Sequence, residues 1–130
     1  MRAIAVPGID AHGILTGLKK EDYRIWEPKD KKGRILICST AARQKGYACG
    51  YALCTAEIGK VTEYPPGPGE EGSIFGWQLK KVRFIEPFQV KSRNKLSFFE
   101  VSDVHIHELK GISMQEWFET YYDGLRHWKR

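Results

Sequence analysis

The sequence predicts an α+β fold: a small, mostly antiparallel sheet of about six strands closing into a barrel, with one short early helix and one C-terminal helix. Three observations predict it. Short stretches with two-residue apolar alternation recur along the chain. Each is bounded by Pro, Gly or a knot of lysines. One stretch near the C-terminus instead shows the spacing of an amphipathic helix.

Each element follows in order. "RAIAV" (2–6) is a short apolar strand, broken by Pro7 and Gly8. Asp10 is placed to cap a short helix over residues 11–16, and Gly17 to end it in the left-handed conformation. "DYRIW" (22–26) alternates as a strand, with Tyr23 and Ile25 on one face and Asp22, Arg24 and Trp26 on the other. Pro28 and "KDKKG" (29–33) form an exposed basic turn. "RILICS" (34–39) is apolar enough to be buried on both faces. Residues 41–46 form a turn. Across 47–59 the row Ala48, Gly50, Ala52, Cys54 and Ala56 is small throughout, which allows close approach, as at a tight barrel wall.

"YPPGPGEEGS" (64–73) holds three prolines and three glycines, so it is a surface loop within one domain. "FGWQLKKVRFIEPFQV" (75–90) is a long strand. Its phase slips at Lys80 and Lys81, the mark of a bulge, and it breaks near Pro87. "KSRNK" (91–95) is a second basic turn and "LSFFEV" (96–101) a last strand. The C-terminal helix, 113–123, starts on a Ser113–Glu116 capping box and ends at Gly124. Its stripe of Met114, Trp117, Phe118, Tyr121 and Tyr122 packs on the barrel.

At 130 residues the chain suits a single domain, 1–130, and 42% apolar with 28% charged residues is ordinary for a globular protein. No apolar run reaches the roughly 20 residues that span a bilayer. The first ten residues lack a signal peptide's apolar core. A cytoplasmic protein with no membrane partner is expected. Cys38, Cys49 and Cys54 are odd in number and form no CxxC, which argues against disulfides or zinc and for small buried residues in a reducing compartment. His105 and His107 share a strand face without a third ligand, so no metal and no cofactor are expected. Lys and Arg outnumber Asp and Glu by 21 to 16, a net charge of +5, which points to anionic partners, nucleic acid first.

The stretch "GLKKEDYRIW" (17–26) concentrates the candidate chemistry. A strand puts Asp22, Arg24 and Trp26 on one face, with Lys19 arriving from the turn. Arg24 offers a planar fork for a phosphate or base edge, Lys19 a point charge, Asp22 an acceptor, and Trp26 a stacking surface. A neutral Lys19 with Asp22 has the makings of a general base and a water-holding acid. Ser39, at a strand end, is a further candidate for this cleft, although such hydroxyls usually cap turns. Lys31, Lys32, Arg43, Lys45 and Arg93 lie in turns that would gather at one rim as a track for a phosphate backbone. The bland alternative is a solvated ion-pair cluster worth little.

Gly17-x-Lys19-x-x-Asp22-x-Arg24 resembles the GxKxxExR signature of ASCH domains, in the PUA-like superfamily. The neighbours agree in order: a preceding short helix, the "GRILICS" strand (33–39), the small-residue "GYACGYAL" strand (46–53) and "GWQLKKVRFIEPFQVK" (76–91). The resemblance spans residues 3 to about 101. It departs at Asp22, where the family usually has Glu. The resemblance implies a pseudobarrel of about six strands, RNA binding, and a cleft lined by the signature residues. It also implies an alternative. Some small members resemble amidohydrolases acting on N-acylated cytidine, with a Thr in the position of Asp22, and others have been described as ribonucleases.

Overall fold

The computed structural model describes residues 1–91 and 97–127. Its frame is one six-stranded sheet: β1 (Arg2–Val6), β2 (Glu21–Arg24), β3 (Arg34–Ser39), β4 (Tyr51–Tyr64), β5 (Ile74–Gln89) and β6 (Phe99–Glu100), in the order β2-β5-β4-β3-β1-β6. Every pair is antiparallel except β1 with β3, which run parallel from Ala3↔Leu36 to Val6↔Ser39. A parallel pair needs a long crossover. Helix α1 (Gly8–Thr16) and β2 lie within it.

Pro7, not Asp10, stands at the N-cap of α1; Asp10 lies in its first turn, and Gly17 ends the helix at φ 77°. Gly8 permits a close approach: a Cβ there would lie 3.0 Å from Tyr47 Cβ and 3.1 Å from Cys49 Sγ. The early helix therefore nests against the 41–50 loop, where Gln44 Oε1 accepts from the Ile9 N–H.

The main core lies where α1 and the C-terminal helical segment cover the sheet. It holds Ile4, Val6, Ile14, Leu15, Ile35, Ile37, Leu53, Trp77, Trp117 and Tyr122. A smaller cluster, Ala3, Leu36, Cys38, Ala52 and Ile85, lies apart from it. Cys38 and Cys54 are free and buried, and burial pushes the Cys38 thiol up to about 12 and the Cys54 thiol up as well.

The bulge at Lys80–Lys81 is present. Thr55 faces Arg83 and Glu57 faces Lys80, so β5 spends one more residue than β4, and Lys81 takes φ 52°. β5 does not break at Pro87. A second register shift, between Ala52 and Cys54, places the proline where no ladder N–H is required. Of the expected last strand, residue 96 lies outside the described residues and Phe99–Glu100 pair as β6; the 103–105 segment that follows is a 3-10 turn. Ser113 caps the C-terminal segment, its hydroxyl accepting from the Glu116 N–H. The segment runs as α2 (Met114–Trp117), a π-helical turn (Phe118–Tyr122) and α3 (Asp123–Arg126), passing Gly124.

The sheet is open, not a closed barrel: among the described residues no backbone ladder joins edge strand β2 to β1 or β6. With only two residues, β6 pairs Arg2 and Ala3 and leaves the rest of β1 without that neighbour. Side chains cross the seam instead. Arg24 Nη2 donates to the Ala5 carbonyl at 2.8 Å, and the Trp26 ring meets Phe98 edge-on at 5.2 Å. No helix among the described residues is long and apolar enough to cross a membrane.

Candidate functional site

Three of the signature residues converge. Asp22 is buried at 4% exposure on the inner face of β2, where its strand partner is Trp77. Arg24, two residues on, shares that face, and its Nε donates to Asp22 Oδ2 at 2.7 Å. The same guanidinium holds the Ala5 carbonyl, so the pair both occupies the site and ties β2 to β1. Lys19 enters from the turn, its backbone N–H bonded to the Gly13 carbonyl. Its Nζ lies 3.8 Å from Asp22 Oδ1 and 3.0 Å from Asp10 Oδ1. Burial falls outward: the Asp22 and Arg24 side chains are 5% and 9% exposed, Lys19 24% and Asp10 34%.

Asp10 is the residue the sequence did not reveal. Its place in the first turn of α1 reads as helix capping, but the fold turns it onto Lys19. The cluster therefore holds two cations and two carboxylates, not a cationic set with a single acid.

Trp26 does not extend the site as a stacking surface. β2 ends at Arg24, and Trp26 lies in a bend whose carbonyl accepts from Trp77 Nε1 at 3.2 Å. Its ring packs edge-on against Trp77 at 4.6 Å and against Phe98. The Trp26 Nε1 is buried without an acceptor among the described residues. The aromatic ring that does face solvent beside the cluster is Tyr23, 57% exposed, with Lys19 Nζ 5.7 Å from its centre. Alternation along β2 puts it on the face opposite Asp22.

Ser39 is fully buried and committed to the backbone of Tyr51, whose N–H it accepts at 3.2 Å. It works as a strand-end bracket. Lys31, Lys32, Arg43 and Lys45 are all exposed. They do not share one rim. Lys31 and Lys32 precede β3 beside Arg2, which donates to the Asp30 and Lys32 carbonyls at 2.8 Å each, whereas Arg43 and Lys45 follow β3 beside α1. A six-residue strand at about 3.3 Å per residue separates the two groups by roughly 17 Å. Arg93 lies outside the described residues. No cluster of three metal-ligating side chains occurs among the described residues.

No family model matches this sequence, and no curated protein matches it. Solved structures do. The ASCH protein from Zymomonas mobilis superposes with a TM-score of 0.60 at 11% identity, covering 93% of this chain and 94% of that one. A serine-to-alanine variant of it gives 0.55 at 14% identity, covering 68% and 73%. This is an ASCH fold. Within this fold Lys19, Asp22 and Arg24 stand together, with Asp10 beside them and Trp26 packed into the seam.

Proposed function

We propose that this ASCH-fold domain binds single-stranded RNA, or a nucleotide, at the Asp10–Lys19–Asp22–Arg24 cluster. One observation carries the reading. Lys19 is the more exposed of the cluster's two cations, and its ammonium lies within reach of both carboxylates and of the exposed Tyr23 ring. The Lys19–Asp10 pair is open enough to water to be worth little, so a phosphate can replace Asp10 at small cost. A base would stack on Tyr23, taking the role first assigned to Trp26. Asp22, buried on the opposite face of β2, keeps Arg24 in place and faces Lys19 from below. Arg43 and Lys45, beyond the strand end nearest α1, would follow the backbone, and the net charge of +5 favours a polyanion.

The test is fluorescence anisotropy with a labelled oligouridine at low and at physiological salt. Lys19→Ala should weaken binding about tenfold at either salt, the value of one charge-assisted contact. Arg43→Ala with Lys45→Ala should flatten the salt dependence by about two phosphate contacts. Binding unaffected by Lys19→Ala removes this site from the reading.

A second reading, a small hydrolase acting on an N-acylated cytidine or on RNA, draws on the same ammonium. Lys19 Nζ stands between two carboxylates, an arrangement through which a proton can pass. Turnover of N-acetylcytidine or single-stranded RNA that Lys19→Ala abolishes would favour it. Its absence leaves the binding module.

A further inference from the structure

A cleft that the charged signature does not use lies on the far stretch of β5. There β5 has two partners on its outer edge with a gap between them. β2 pairs it as far as Gln78, and the Lys20 carbonyl accepts from the Leu79 N–H. The returning 107–109 segment pairs it again, through Glu86 N–H to the His107 carbonyl and Leu109 N–H to the Phe84 carbonyl. On that outer edge residues 80–83 have no ladder partner among the described residues, whereas β4 pairs them on the inner edge. The bulge falls inside that gap, with Lys81 held at φ 52°, a conformation costly for any side chain but glycine. Arg34 fastens it: the guanidinium donates to the Lys81 carbonyl, to Thr55 Oγ1 at 2.9 Å and to the Thr55 carbonyl at 3.0 Å.

Between the gap and the 108–112 segment lies a half-open cleft of about 520 Å³ lined by Val82, Arg83, Phe84, Glu108, Leu109 and Lys110, together with Gly111 and Ile112. Its size is that of a small-ligand site, and its lining is about half apolar and half polar. Phe84 lines it and is stacked on Trp117, 4.8 Å between ring centres at 22°. The charges are unequal. Arg83 and Lys110 face a single acid, Glu108, and Arg83 Nη1 stands 3.6 Å from it, too long for a hydrogen bond. Lys80 and Lys81 are exposed nearby. Burial first, and then the Arg83 charge, lowers the Arg34 pKa against the opposing pull of Glu108 and Glu57.

We infer that this cavity binds a small anion carried on a flat apolar body, its ring against Phe84 and Val82 and its head group on Arg83 and Lys110. The head group is a phosphate monoester, as in a nucleoside monophosphate, or a carboxylate, as in an aromatic acid. Both accept from an Arg and a Lys in this geometry. The site is separate from the Lys19 cluster and stands without it.

Nitrogen-resolved NMR titrations of the whole protein with uridine 5′-monophosphate, benzoate and inorganic phosphate test it. The first or the second should move the Val82, Phe84, Leu109 and Ile112 amides and the Trp117 indole N–H, which is anchored to the Ile85 carbonyl at 2.8 Å. Which of the two does so names the head group. Inorganic phosphate, lacking the ring, should bind at least tenfold more weakly. Arg83→Ala and Lys110→Ala, both exposed and safe for folding, should each cost about tenfold. Shifts confined to residues 19–24, phosphate binding as well as the ring compounds, or no shifts with either ring compound would each overturn the proposal. The first of those outcomes would leave the Lys19 reading intact.

Discussion

Asp22 is the residue on which the signature cluster turns. It is 4% exposed and accepts from a guanidinium that is itself nearly buried and tied to the Ala5 carbonyl. Removing one partner of such a pair leaves an uncompensated buried charge, which costs more than the pair contributes. Asp22→Asn should therefore lower unfolding stability by about 3 kcal/mol, read from urea unfolding, while Asp10→Asn, on a partly exposed pair, should change it by less than about 1 kcal/mol. His12 gives a pH test at the same scale. Its ring lies among Tyr47, Phe118 and Tyr122, and burial first, then the Arg126 charge, lowers its pKa below the ordinary 6.5. The unfolded chain then holds the proton more readily than the fold does. Stability is full above pH 6.5 and declines as pH falls from there to the folded value. His12→Phe should remove that slope, measured as the midpoint of urea unfolding between neutral and mildly acid pH. A midpoint that rises on acidification would contradict the burial.

At the scale of elements, β5 shows what a sequence can and cannot announce. Two-residue alternation that slips at Lys80 and Lys81 is a local signal, and the bulge is there with Lys81 in the left-handed region. Lys81→Gly should stabilise the protein by about 1 kcal/mol by relieving that conformation, and Lys81→Val should destabilise it. Urea unfolding of both variants checks the pair of signs. The Ser113 cap and Trp117 were equally legible, because a capping box and a helical stripe are short-range patterns. The π turn at Phe118–Tyr122 was not, since its wider winding leaves the apolar spacing nearly unchanged. Nor was the passage of β5 through Pro87. A proline reads as a break unless the partner strand's register is known, and only the pairing with β4 shows that a shift falls there.

For the whole molecule, the mistaken expectation was closure. Six strands with small residues along one of them read as a barrel wall, but β6 has two residues and β2 four, too few to meet across the seam by backbone bonds. Contacts between residues distant in sequence cross it instead: Arg24 to Ala5 and Trp26 to Phe98. Such pairings are set by tertiary geometry and leave no periodic trace. For that reason Trp26 read as an open stacking surface and Asp10 as a helix cap, and for that reason the Lys19, Asp22 and Arg24 convergence came from the ordered motif and not from composition. The ASCH fold places this cluster at the seam, where Lys19 is its most accessible cation. Cross-linking with 4-thiouridine-substituted single-stranded RNA, followed by peptide mapping, tests the central claim most directly. The account predicts that the main adduct falls on residues 17–26, at Tyr23, and disappears in Lys19→Ala. Adducts confined to peptides outside that stretch, or unchanged by Lys19→Ala, would contradict it.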